Sequence, residues 1–298
     1  MDGQLSLSPN NMSLDRELTT KVFHPLRRAQ FWDKDYRLPI LAYHSVSPAP
    51  QKDEGKAATA ATDPFTFRQQ MRQLITDGYN PTDIPQVVEW LRDGKHPPEK
   101  TVIITFDDGL RDFYTNAFPV LQEHSLHATV FLATDYIGVS RHSLNKNECL
   151  TWSEIREMSK SGIRFGSHGV SHGDLAHLPQ VEVMRELGVS KAEIERQSGS
   201  SVQAFSYPHD FPAKDAASAK SFRDLLVKAG YTCCVTRELG RVRASDDLYR
   251  LKRIPINSRD TPALFTAKLE GGYDWRAWQQ SFLKKLRPRK TKKQNSPQ

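Results

Sequence analysis

The stretch Thr101–Gly109, TVIITFDDG, decides how this chain is read. Val102, Ile103, Ile104 and Phe106 form an apolar run broken only by Thr105. A strand with one wet face alternates apolar and polar positions. A run that is apolar at successive positions suits a strand buried on both faces, as in a parallel sheet covered by helices. Asp107 and Asp108 follow at once. Adjacent carboxylates repel, so one pKa rises or a cation relieves the pair. Gly109 then allows a sharp turn and the close approach of a ligand. Ligands of α/β folds sit at the carboxyl ends of strands, where these two aspartates are expected.

A second stretch completes the chemistry. SHGVSH places His168 and His172 four residues apart after the strand-like IRFG. If the segment turns helically, the two rings share one face; Gly169 makes a regular helix less certain, but a turn also brings them together. One aspartate and two histidines make three ligands and leave an open position, the mark of a catalytic site and not a closed structural one. Such ligands suit Zn²⁺, Co²⁺, Ni²⁺ or Mn²⁺, and the sequence does not choose among them. A lone DDG is usually a solvated turn, and a lone HxxxH a packed or solvated pair. Their joint presence, each after a strand-like run, points to a metal site that activates water.

Outward from these motifs, strands and helices alternate roughly seven times, which predicts α/β architecture with a parallel sheet. ILAY opens the series. PFTFRQQMRQLITDGY carries Phe67, Met71, Leu74 and Ile75 at helical spacing and stops at Gly78; IPQVVEWLRDG stops at Gly94. After TVIITF come a helix over about 111–123, the strand ATVFLA, a helix over 151–160 and the strand IRFG. A long helix over 180–197, the strand AFSY, a helix over 216–229 and the strands YTCCVT and LYRLKRIPI follow. Residues 47–63 read as a long rim loop, and no internal repeat is present.

Length and composition bound the class. The 298 residues suffice for one large domain or two modest ones, and a mean hydropathy of −0.61 fits a soluble enzyme. No stretch approaches the ~20 apolar residues of a membrane helix. The N-terminus has neither a basic start nor an apolar core, so as written it is not a secretory signal. That points to a cytoplasmic or peripheral location. Cys149, Cys233 and Cys234 suggest no disulfide framework and read as small buried side chains. The net charge of +7 is local: residues 284–298 hold seven basic residues and no acidic one, and the remaining basic and acidic residues balance. The body therefore offers no reason to expect a nucleic-acid face.

The chain resembles the polysaccharide deacetylases, the carbohydrate esterases with the NodB homology domain, over about Pro39–Thr266. TFDDG matches the first family motif, SHGVSH the second and FSYPHD, Phe205–Asp210, the third; CLTWSEIREM, Cys149–Met158, also has a counterpart. The resemblance is strongest to the poly-N-acetylglucosamine deacetylase subgroup, whose members suggest the cell envelope. It implies a distorted (β/α)7 barrel at 37–270, between an N-terminal extension at 1–36 and an amphipathic helix with a basic tail at 271–298. It implies Asp107 as general base and Asp108, His168 and His172 as ligands of a divalent metal such as zinc. The Tyr207 amide is expected in an oxyanion hole, and Tyr207, Pro208, His209, Trp152 and Arg253 at the substrate.

The chain departs from the family pattern at two places. The usual third-motif arginine is absent, with Ser206 ahead of Tyr207, and the late strand LKRIPIN lacks the histidine that supplies the general acid. In the subgroup that element lies on the N-terminal side, where this chain has ILAYHSV. His44 is therefore the expected acid, and His209 its rival. Arg253 is a candidate source of the charge that the missing arginine gives Asp107. The expected function is N-deacetylation of an amino-sugar polymer or oligosaccharide. The alternatives are an O-acetyl esterase of the xylan type and a non-catalytic saccharide-binding barrel. YDWRAWQQSFLKKL places Trp275, Trp278, Phe282 and Leu286 near one helical face, with Leu283 beside it. This helix either packs on the barrel or lies on a membrane with its basic end at anionic lipid.

Overall fold

The computed structural model describes residues 9–29, 37–48, 61–95, 97–138, 143–144, 147–209 and 216–286. Most of the expected rim loop and the tail from residue 287 onward lie outside them, as do the side chains of Leu283 and Leu286.

The strands are β1 (Ile40–Tyr43), β2 (Asn80–Thr82), β3 (Thr101–Phe106), β4 (Ala128–Leu132), β5 (Ser143–Leu144), β6 (Asn147–Glu148), β7 (Ile163–Ser167), β8 (Ala204–Ser206), β9 (Cys233–Leu239) and β10 (Leu251–Pro255). Seven of them, β1, β3, β4, β7, β8, β9 and β10, pair in parallel around a ring closed by β1 against both β3 and β10. This is the (β/α)7 barrel expected from the motifs. β2 adds to the start of β3, and β5–β6 make a short antiparallel ribbon beside the ring.

The double burial read from TVIITF is present: every residue of β3 is buried. Its side chains divide between two apolar clusters. Val102, Ile104 and Phe106 join the larger one, with Phe67 and Met71 from the helix after β1. Ile103 joins Ile40, Phe131, Val235 and Leu251. Five residues from five strands of one ring meet only inside it, so this second cluster fills the lumen. Thr105 and Asp107 have the parity of Ile103 and therefore point inward.

The helices are α1 (Pro9–Leu18), α2 (His24–Ala29), α3 (Pro64–Thr76), α4 (Ile84–Arg92), α5 (Phe118–Glu123), α6 (Trp152–Ser159), α7 (Gln180–Ser198), α8 (Ala216–Lys228), α9 (Pro262–Glu270) and α10 (Trp275–Leu286). A π-helical turn, Thr19–Phe23, joins α1 to α2, and another, Phe113–Ala117, precedes α5. Local chemistry sets many of the ends. Asp63 caps α3 by accepting from the amides of Phe65 and Thr66, with Pro64 in the first turn. Thr151 and Glu154 form a reciprocal capping box on α6, and left-handed Gly199 ends α7. Cys149, Cys233 and Cys234 are buried and free of disulfides. No described helix is long and apolar enough to cross a membrane.

Candidate active site

Register brings the motif residues to one end of the ring. Tyr43 pairs with Phe106, so His44 and Asp107 emerge side by side, and the Asp107 amide donates to the Tyr43 carbonyl at 3.0 Å. Leu132 pairs with Ser167 and Ser167 with Phe205, which sets His168 beside Ser206. All these residues follow the carboxyl ends of strands, where barrel sites are built.

Asp108, His168 and His172 converge. One donor atom from each lies within 4.8 Å of the other two. His172 Nε2 is 3.1 Å from Asp108 Oδ1 and His168 Nε2 is 3.5 Å from it. The backbone is bent to achieve this: Asp108 has φ +75° and His172 φ +57°, values uncommon for residues with a Cβ. Gly109 continues the turn at φ +66°, and a Cβ there would lie 2.9 Å from the Leu132 side chain. Only glycine satisfies both demands.

The donor set fits a divalent metal. His168 Nδ1 lies 2.7 Å from the Ser206 carbonyl. A carbonyl only accepts, so Nδ1 carries the proton and the lone pair of neutral His168 sits on Nε2, facing Asp108. A lone pair facing a carboxylate oxygen is repulsive unless a cation lies between them. A backbone bond on the far nitrogen is also the usual way a ligating histidine is oriented.

Asp107 takes the opposite role, and both of its oxygens are hydrogen-bonded. Arg253 Nη1 donates to Oδ1 at 2.8 Å and Nη2 to Oδ2 at 2.7 Å, and the Ser206 hydroxyl donates to Oδ1 at 3.1 Å. Arg253 also donates from Nε to the Thr236 carbonyl and lies over the Phe131 ring inside the barrel. Burial alone would raise the Asp107 pKa; the Arg253 charge outweighs it and holds the carboxyl well below the usual range. Arg253 thus brings positive charge to Asp107 from the late strand. Being buried, it does not face a substrate.

The two histidines weighed as acids both stand at the site. His44 is half-buried at the end of β1. Burial lowers its pKa, and the charges of Asp108 and Asp107 oppose that. His209 packs its ring 5.5 Å from that of His172, edge to face. Burial and the neighbouring His172 lower its pKa.

Three expectations are corrected. The Tyr207 amide donates to the Val235 carbonyl at 3.1 Å, within the β8–β9 pairing, so it is not presented to an oxyanion. The Tyr207 ring is fully buried against Phe205 and Phe222, and Pro208 is buried too, so neither forms an open groove wall. Trp152 is the first residue of α6; its amide donates to the Gly138 carbonyl and its ring belongs to the main core, out of reach of a sugar.

Glu186 on α7 was not expected from the motifs. It is buried, and its Oε2 accepts from the amides of Val170 and Ser171 at 2.7 and 3.0 Å. It therefore clamps the turn between the two ligand histidines. Gly169 makes room for it: at φ +82° a Cβ would sit 2.9 Å from Oε2. Glu186 lies in a second segment of the chain, so no spacing within SHGVSH points to it.

Fold and motifs define a barrel hydrolase. The polysaccharide deacetylase family model matches residues 94–233. YxkH of Bacillus subtilis, whose name assigns it provisionally to the polysaccharide deacetylases, is 29% identical over 243 residues, 80% of this chain and 78% of that one. A poly-beta-1,6-N-acetyl-D-glucosamine N-deacetylase of Staphylococcus epidermidis is 26% identical over 64% of this chain and 66% of its own length. The Streptococcus pyogenes deacetylase PplD, solved in complex with acetate, superposes with a TM-score of 0.67 at 26% identity, covering 79% of this chain and 99% of that one. Over residues 94–233 the chain is similar to the polysaccharide deacetylase family.

Proposed function

We propose that this chain removes N-acetyl groups from an amino-sugar polymer or oligosaccharide, using a divalent metal, zinc by preference, held by Asp108, His168 and His172. The observation that carries this reading is the division of labour between adjacent aspartates: Asp108 faces two histidine nitrogens while Asp107 is turned into the barrel onto Arg253. A binding-only barrel has no use for a second carboxylate kept ionised beside the ligands. The names of the staphylococcal and other poly-N-acetylglucosamine deacetylases support the substrate class.

The metal, when bound, supplies positive charge that acidifies a water and polarises the acetyl carbonyl. Asp107 accepts the proton of the attacking water. Its Oδ2 accepts from Arg253 Nη2, and a carboxylate oxygen has a second lone pair for the task. Arg253 keeps Asp107 ionised, at some cost in proton affinity. His44, beside it across the β1–β3 pairing, gives a proton to the departing nitrogen, which leaves as an amine. His209 is the alternative donor. We take residues 37–270 as the catalytic unit and the two terminal segments as additions to it.

The test is acetate release by metal-loaded protein from N-acetylglucosamine oligomers and from acetylated xylan, with Asp107→Asn as control. Release from the amino sugar, lost in the variant, is expected. Release from xylan alone would make the chain an esterase, and no release from either, with metal bound, would favour a binding barrel. His44→Ala is expected to lower turnover with metal content intact; if His209→Ala does so and His44→Ala does not, the acid is His209.

A further inference from the structure

The N-terminal helical run is inside out. An amphipathic helix on a domain surface normally buries its apolar stripe. Here the side that meets the domain is largely polar and aromatic. Asp15 pairs with Arg276 at 3.1 Å, the Thr19 hydroxyl accepts from Trp275 Nε1 at 3.0 Å, His24 meets Glu270 at 2.7 Å and Phe23 stacks on Trp275 at 5.0 Å. The apolar row, repeated every fourth residue, is left in solvent: Leu14 is 58% exposed, Leu18 36%, Val22 41% and Leu26 55%. Helix α10, which these contacts bring alongside, adds Trp278 at 80% and Phe282 at 62%. Half of the large apolar side chains exposed among the described residues thus lie on the N-terminal run and α10, which touch, a concentration that marks a docking surface.

Charge selects the occupant. Directly beyond Phe282 the chain carries seven basic residues between 284 and 298 and no acidic one. On the N-terminal run Lys21 and Arg28 are exposed but paired with Glu17 and Glu270, so the positive charge comes from the segment after Phe282. A second copy of the chain would bring two such basic segments together, a repulsive arrangement. An anionic lipid surface satisfies both features: aliphatic and aromatic side chains enter the interface while basic groups meet the headgroups.

We propose that the N-terminal helical run and α10 together form a peripheral membrane face. Leu14, Leu18, Val22, Leu26, Trp278 and Phe282 lie on an anionic bilayer, and the basic segment after Phe282 engages its headgroups. The N-terminal run contributes to this surface together with α10, which is tied to the barrel through Gln280, whose side-chain oxygen accepts from the Leu239 amide at 3.0 Å.

The test is co-sedimentation of the full chain with vesicles of phosphatidylcholine alone and of phosphatidylcholine and phosphatidylglycerol in equal parts. The protein should partition onto the anionic vesicles at least about tenfold better and lose that preference in high salt. Trp278→Ala/Phe282→Ala and, separately, Leu18→Gln/Val22→Gln should each lower partitioning about tenfold or more. Thermal melting and acetate release from soluble oligomers should stay unchanged in both. Sedimentation of both variants equal to wild type overturns the apolar face and leaves a purely ionic tail. No sedimentation with either vesicle overturns the proposal outright. A wild-type dimer by light scattering that either variant dissociates, without vesicle binding, replaces it with self-association.

Discussion

Among the described residues two ion pairs are buried almost completely, and they differ in everything but burial. Arg253–Asp107 crosses the barrel lumen between residues 146 positions apart. Lys268–Asp260 is local, eight residues apart. Lys268 Nζ donates to both Asp260 oxygens at 2.8 Å and to the Pro255 carbonyl at 2.6 Å, and Asp260 accepts from the Asn257 amide. It staples the turn between β10 and α9. Removing two charges from water is costly in either place, and excellent geometry only offsets that cost. The difference lies in the neighbours: Asp107 adjoins three converging ligand atoms, and Asp260 adjoins a turn. A buried pair therefore marks where pairing is obligatory, and what stands beside it decides whether chemistry follows.

The largest expected contrast is in turnover. Asp107→Asn should lower acetate release about 10²–10⁴-fold with metal content unchanged, while Asp260→Asn should keep turnover per folded molecule near wild type. An equal loss in both would break the comparison. Stability should treat the pairs alike. Arg253→Met and Lys268→Met each strand a buried carboxylate and should cost about 3–5 kcal/mol in urea unfolding. Replacing both members, as Asp107→Leu/Arg253→Met or Asp260→Leu/Lys268→Met, should recover most of that cost, and only the second swap should recover activity. Double variants as unstable as the singles would show the pairs to be net stabilising.

A smaller effect is expected from the clamp on the histidine turn. Glu186→Ala should weaken metal binding about 10–100-fold in a chelator competition, with Glu186→Gln retaining more of it. Unchanged affinity in Glu186→Ala would make Glu186 a packing residue. The smallest effect is on acid stability. Because the folded pKa of Asp107 is depressed, its contribution is present above the ordinary carboxylate range and lost as pH falls through the folded value. Metal-free wild type should therefore lose stability more steeply below about pH 4 than Asp107→Leu/Arg253→Met. Parallel acid limbs in the two proteins would remove Asp107 as the source.

Much of this was readable from residues alone, because the signals were local. TVIITF is apolar at successive positions and forms a doubly buried strand. Gln180 to Ser198 forms the long helix its pattern predicts, one residue past the expected end. Asp108, His168 and His172 come together as their placement after strands implied. The misreadings concern residues whose partners lie far along the chain. Trp152 looked available because it opens a helix beside a motif, but the core cluster takes its ring. The Tyr207 amide belongs to β9, a strand 26 residues later. The short strand β2, with a proline at its centre, and the helix α9 gave too little periodicity to be expected. The row Leu14, Leu18, Val22 and Leu26 recurs at a regular spacing, but only the contacts of Asp15, Thr19 and His24 reveal that it faces outward.

The seam of the barrel sets a timetable. β1, the first strand made, must lie between β3 and β10, the last. A ribosome releases Asp107 and Asp108 long before Arg253, and pairings so distant in sequence form slowly. Until β10 arrives the ring is open, Asp107 has no guanidinium to face, and its carboxylate stays in water. A nascent or truncated chain can thus hold TFDDG, SHGVSH and FSYP and still lack the Arg253–Asp107 pair. Only the last strand supplies it.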